Sequence, residues 1–164
     1  MDWDLKYSGM DAAEAGGPTP LVERMVAGIA PGRALDLACG AGGNAVWLAE
    51  HGWRVTAVDA SRAGIEIVKR RCSAVDARVA DLERREFVIE ADSWDLILMC
   101  RYLQRDLFED VKRGVVVGGV VIATVLMGGS RFSMGPGELR EQFNGWEILH
   151  SHEGSLAEIV AKKS

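Results

Sequence analysis

Ala34-Leu35-Asp36-Leu37-Ala38-Cys39-Gly40-Ala41-Gly42-Gly43-Asn44 decides how the rest of this chain is read. An apolar run short enough for a strand enters a glycine-rich turn, and a helical pattern, Gly43 to Glu50, opens directly after it. Glycines at such a turn supply positive φ and let the backbone approach a ligand closely. The helix start adds unpaired N–H groups and the positive end of a dipole, both suited to an anionic group. A tight turn with no ligand would show the same glycines, so the glycines alone decide nothing. Three acids shift the balance. Asp36 lies inside the strand, where a carboxylate is costly unless it meets a cation or donors. Asp59 ends the next strand pattern, nineteen residues after Gly40, where an acid accepts from ribose hydroxyls in a Rossmann-like site. Asp81 follows the third strand pattern. Successive parallel strands thus deliver acids to one carboxyl edge, where open α/β sheets bind ligands. Each acid taken singly could equally be a helix cap.

Outward from this turn the chain reads as alternating strands and helices. Upstream, residues 1–18 form an irregular lead-in ending at Gly16-Gly17-Pro18. Thr19 then reads as an N-cap before Pro20 and a helix carrying Leu21, Val22, Met25, Val26 and Ile29 at helical spacing. Downstream, strands are expected at 33–38, 54–58, 75–80, 94–100 and 120–126. Helices are expected at 43–50, from the Ser61 cap to about 73 with a Glu66–Arg70 pair on its outer face, and at 104–113. Residues 82–93 mix charge with a short apolar run and stay ambiguous. Such alternation implies right-handed βαβ units and a parallel sheet. After a Gly-rich loop (127–137) and a short helix (137–143), two strands at 146–152 and 156–161 flank Glu153-Gly154-Ser155, a joint that forces an antiparallel hairpin.

The bulk numbers are those of one ordinary domain. The chain has 164 residues, 48% hydrophobic and 26% charged, which is enough to bury a core without staples. A net charge of −5 with no Lys/Arg block argues against a nucleic-acid or anionic-membrane surface. Cys39, Cys72 and Cys100 are odd in number and widely spaced, so neither a disulfide framework nor a metal site is expected. The acidic, polar start has no apolar signal region, and the apolar run 115–127 is too short to span a bilayer. A cytoplasmic location is the expectation.

Beyond these readings, LDLACGAGGNAVWLAEHGWRVTAVDAS (35–61) resembles motif I and its following acidic strand in class I S-adenosylmethionine-dependent methyltransferases. The resemblance continues through ADL (80–82), WDLIL (94–98), RYLQRDLF (101–108), Gly118-Gly119 and PGELREQFNGWEIL (136–149). Trp3, Tyr7 and PTPLVERMV resemble the start of tellurite-resistance-type methyltransferases. The resemblance implies a Rossmann-like α/β fold, a doubly wound, mostly parallel seven-stranded sheet of order 3-2-1-4-5-7-6 with strand 7 antiparallel. It implies a lead-in at 1–18 that could act as a lid and a methyltransferase domain at 19–164. S-adenosylmethionine is the implied cofactor. Asp36 and the Gly40–Gly42 backbone would surround its methionine end, Ala38, Cys39 and Asn44 would also be cofactor-binding, Asp59 would bind the ribose, and Ala60 would lie near the adenine. Asp81 would accept from the adenine amino group with Leu82 against the ring, and Cys100 would border the sulfonium. Val115-Val116-Val117 departs from the family's usual basic, proline-containing lead into the fifth strand.

The expected activity is methyl transfer to a small-molecule acceptor by a monomer or homodimer that uses neither nucleic acid nor membrane. No general base is identifiable. Trp3, Tyr7, Arg101 and Arg105 are candidate acceptor contacts: the aromatics through cation–π attraction over the sulfonium, the arginines for an anionic acceptor. Solvated surface arginines and a hydrophobic staple explain the same residues. Cys39 with Cys100 reads as small filling side chains before it reads as a thiol pair. His150 and His152 share a strand face as surface residues sooner than as metal ligands, and His51 caps helix-end carbonyls. Two other functions compete. Gly40-x-Gly42-x-x-Ala45 fits a nicotinamide-binding fingerprint, but Asp36 is foreign to it and no second mononucleotide half follows. A non-catalytic S-adenosylmethionine-binding protein would share the same motifs.

Overall fold

A computed structural model describes residues 1–164 as two compact units, residues 1–88 and 89–164. In the first unit, β1 (Arg33–Leu37), β2 (Arg54–Asp59) and β3 (Asp76–Val79) pair in parallel. All of β1 except Arg33 is buried, as the near-continuous apolar run of an interior parallel strand requires. The register sets Asp36 beside Ala57 and Leu37 beside Val58. Asp59 therefore lies two residues further toward the carboxyl edge than Asp36, and it is level with Val79 of β3.

The helices of this unit follow local rules. α2 (Pro20–Val26) starts on its proline, but Thr19 makes no side-chain cap bond, because Asn44 holds its hydroxyl and its N–H. α3 (Gly43–Glu50) starts from Gly42 at φ +89° and ends where His51 Nδ1 meets the Trp47 carbonyl oxygen at 2.7 Å, the helix-end contact expected of His51. α4 (Arg62–Arg71) is capped by the Ser61 hydroxyl, which accepts from Gly64 N. It buries Ile65, Ile67 and Val68, and its last turn carries Lys69, Arg70 and Arg71 at the negative dipole end. The outer-face partner of Glu66 is Lys69, not Arg70. The lead-in is not irregular. It forms α1 (Trp3–Ser8), capped by Asp2, and a single 3₁₀ turn at Ala12–Glu14 closed by an Asp11/Glu14 capping box. Caps and bonds to residues distant in the sequence create this structure where hydrophobic periodicity is missing. Residues 82–85 form a turn, anchored by buried Leu82.

In the second unit β4 (Trp94–Cys100) pairs in parallel with β5 (Val115–Leu126), β5 pairs antiparallel with β7 (Leu156–Lys162), and β7 pairs antiparallel with β6 (Glu147–Glu153). The expected helix at 104–113 divides into a 3₁₀ turn at Arg105–Leu107 and α5 (Phe108–Gly114). β5 begins at Val115, five residues before the expected start. Its Gly118-Gly119 pair sits within the strand at a register irregularity, with Gly118 at φ +83°. α6 (Glu138–Glu141) is shorter than expected. The complete strand order is β3-β2-β1-β4-β5-β7-β6, the order that the sequence implied. No helix is long and apolar enough to cross a membrane.

Candidate functional site

Three left-handed residues alternate through the turn after β1: Ala38 at φ +56°, Gly40 at +58° and Gly42 at +89°. Glycine adopts this conformation freely, whereas Ala38 does so at a cost of order 1–3 kcal/mol that the surrounding bonds must offset. The result is a tight cradle that turns backbone N–H groups toward the end of β2. Asp59 organises it. Its Oδ2 accepts from Gly40 N at 2.9 Å and its Oδ1 from Ser61 N at 2.8 Å. A carboxylate has about four acceptor sites, so each oxygen keeps capacity for a further donor.

Asp36 lies behind the cradle. It is 2% exposed and accepts from the Ala45 backbone N–H, while its Oδ2 is buried without any hydrogen-bond partner. Burial, and secondarily the neighbouring Asp59 charge, raise its carboxyl to about 7. The Cys39 thiol is raised by burial first and then by Asp36 and Asp59, which favours its neutral form. A buried acceptor without a partner, beside a second carboxylate, is suited to an ammonium or another strong donor.

Not every candidate residue is directed at this cradle. Gly42 has no room for a side chain, since a Cβ would stand 2.7 Å from Val68 Cγ2 of α4, so packing requires it. Asn44 accepts from Thr19 N at 2.7 Å and donates to the Thr19 hydroxyl, tying the start of α3 to the start of α2. Ala60 follows Asp59 and is exposed. Asp81 Oδ1 accepts from Glu83 N and Arg84 N, so it also shapes its own turn, while Leu82 is buried beneath. Trp3 stacks near Tyr7 on α1, with ring centroids 6.3 Å apart, and the cation over Trp3 is the helix's own Lys6 at 4.8 Å. Tyr7 does reach the cradle: a Cβ on Gly40 would stand 2.5 Å from its hydroxyl.

In the second unit, half-buried Cys100 ends β4 and Arg101 follows at φ +56°, its N–H shared between the carbonyl and hydroxyl oxygens of Thr124. Arg105 is engaged within the protein. Its guanidinium donates to Glu138 Oε1 at 2.6 Å and to the Ser133 carbonyl at 3.1 Å, holding the 127–137 loop. His150 Nε2 stands 3.9 Å from Glu158 Oε1 on neighbouring strands.

Sequence reading missed Asp4, Ser61 as a link, Gly64 and Arg71. Asp4 Oδ1 accepts from Ala63 N and the Ser61 hydroxyl, and Arg71 donates to the carbonyls of Ala41 and Gly16. Gly64 alone left a signal, a glycine inside a helical pattern, which usually marks close packing. A concavity of about 340 Å³ lined by Arg33, Trp53, Arg54, Thr56 and Asp76 lies at the opposite, amino ends of these strands, away from the acids.

A family model described as a methyltransferase domain matches residues 34–119, slightly more than half of the chain. The chain belongs to the methyltransferase domain family. This bears out the resemblance to class I S-adenosylmethionine-dependent methyltransferases and does not favour the nicotinamide reading. Among solved structures, TehB from Haemophilus influenzae superposes with TM-score 0.80 at 20% identity, covering 90% of this chain and 63% of that one. A TehB-like SAM-dependent methyltransferase from Corynebacterium glutamicum superposes with TM-score 0.69 at 21% identity, covering 87% of each chain. Both likenesses are of fold. A curated relative, ribosomal RNA small subunit methyltransferase C from Alcanivorax borkumensis, is 51% identical over 35 residues, 21% of this chain and 11% of its own. The chain thus spans less than two thirds of the Haemophilus protein and a small part of the ribosomal RNA enzyme.

Proposed function

We propose that this methyltransferase binds S-adenosylmethionine on the Gly40–Asp59 cradle and methylates a small-molecule acceptor. The buried, partnerless Asp36 Oδ2 carries the reading. The cofactor fits the residues present, because it brings an ammonium and two ribose hydroxyls to the free acceptor sites of Asp36 and Asp59. Asp36 would serve the methionine end, the free acceptor sites on Asp59 the ribose hydroxyls, and Asp81 the adenine amino group. Bound there, the cofactor supplies a methyl group already activated on a sulfonium. The chain's own contribution is then to bind, orient and exclude water, and no side chain is required as a base.

Two observations support a small acceptor. The net charge of −5 lacks a basic footprint for nucleic acid, and the match to the ribosomal RNA enzyme is confined to 35 residues. Calorimetry with S-adenosylhomocysteine, S-adenosylmethionine and NAD tests the cofactor. Absence of binding by both sulfur compounds at millimolar concentration sinks the proposal. A labelled-methyl screen against small acceptors and ribosomal RNA tests the acceptor class, and transfer to RNA alone refutes it. Cofactor binding with no transfer to any acceptor would favour a binding protein.

A further inference from the structure

Asp4 belongs to no motif, yet it links the start of the chain to the cradle. Its Oδ1 accepts from Ala63 N at 2.8 Å and from the Ser61 hydroxyl at 3.0 Å, both at the start of α4. The Ala63 N–H is one of the donors that a helix leaves unpaired at its first turn, and the dipole there favours a negative charge. Ser61 accepts from Gly64 N while donating to Asp4, and its own N–H donates to Asp59. One serine therefore joins Asp4 to the proposed ribose carboxylate.

One helical turn beyond Asp4, Tyr7 lies in a seat made by two glycines. A Cβ on Gly64 would stand 3.2 Å from Tyr7 Cδ2, and one on Gly40 would overlap its hydroxyl. The half-buried phenol stands near Asp59 and Cys39. α1 has six residues, none of them fully buried, so it is too short to persist by itself and depends on these docking contacts.

We infer that Asp4 is a positioning residue for cofactor binding: by capping α4 it holds Tyr7 as a side wall of the Gly40–Asp59 cradle. The inference rests on the cradle being the S-adenosylmethionine site. Asp4→Ala removes both bonds, whereas Asp4→Asn keeps an oxygen that can accept them. Two readouts separate clamp from ligand. Tryptic cleavage after Lys6 in the ligand-free protein reads the docking of α1. Calorimetry with S-adenosylhomocysteine reads the wall. In Asp4→Ala, cleavage should quicken and the dissociation constant should rise about tenfold, the scale of a lost helix cap. Asp4→Asn should stay near the parent in both. Circular dichroism checks that the rest of each variant is folded. Unchanged cleavage in Asp4→Ala overturns the clamp. Faster cleavage with unchanged affinity makes the arm a bystander, and with tighter affinity makes it a competitor of the cofactor; either overturns the inference. If the parent binds no S-adenosylhomocysteine, the cofactor reading fails, and cleavage alone still decides whether Asp4 clamps α1.

Discussion

Replacing Asp36 by Asn removes a buried carboxyl whose ionisation its surroundings oppose, and the consequences for stability and for binding have opposite signs. The groups facing Asp36 are the Asp59 carboxylate, the Cys39 thiol and the Ala45 N–H, and only the last favours its charge. Raising a carboxyl from 3.8 to about 7 makes the ionised form about 4 kcal/mol less favourable in the folded chain than in the unfolded one, at about 1.4 kcal/mol per pH unit. The folded-state value is the higher one, so between about pH 4 and pH 7 the folded chain retains a proton that the unfolded chain has released. Stability is greatest below this window, falls as pH rises through it, and carries the full deficit above it. Asn cannot ionise and escapes the deficit, less about 1–3 kcal/mol for an amide N–H left without a partner. Asp36→Asn should therefore match or slightly trail the parent at pH 5 and exceed it by about 1–3 kcal/mol at pH 8. Urea unfolding at both pH values measures this. A stability difference independent of pH would refute the argument, because it would mean that Asp36 carries the same charge in both states. Binding should move the other way. The ammonium that S-adenosylhomocysteine carries pairs best with the ionised carboxylate, so the parent's affinity for this ligand should rise with pH up to about 7, while Asp36→Asn binds weakly with a flat profile.

Asp59→Ala removes a carboxylate that positions Gly40 and Ser61 and is proposed to bind the ribose. Charge-assisted bonds of about 1.5–3 kcal/mol each imply at least a tenfold loss of S-adenosylhomocysteine affinity in calorimetry; unchanged affinity in a folded variant would leave Asp59 as a turn residue only. Gly40→Val places a side chain where the Tyr7 hydroxyl stands and strains a left-handed position, so binding should be lost and trypsin should cut after Lys6 faster. Retention of both properties would put the pocket elsewhere. Arg105→Ala frees Glu138 and the Ser133 carbonyl, so proteolysis within 127–137 should accelerate with little change in the thermal midpoint; an unaltered rate would show that the pair does not hold the loop.

Much of this protein is legible in its sequence because the deciding signals are local. Asp36 inside an apolar run, glycines at 40 and 42, and Asp59 at the end of the next strand announce a cofactor-binding α/β sheet. The short joint at Gly154-Ser155 announces its reversed final strand. Periodicity placed α3 and β4 to the residue, since a buried strand and a helix with a fixed glycine start leave little freedom. The sequence did not reveal which polar groups answer one another across the chain. Nothing near Asn44 in the sequence announces its tie to Thr19, and Arg105 looks free until Glu138 arrives thirty-three residues later. α1 has no hydrophobic periodicity of its own. It is held by Asp4 on α4 and by Tyr7 on two glycines, contacts between residues more than thirty positions apart that no local pattern encodes. The candidate acids could be proposed from their spacing together with the family resemblance. That one of them lies buried without a partner, and is raised for that reason to about 7, depends on the distances and desolvation that only the folded chain creates.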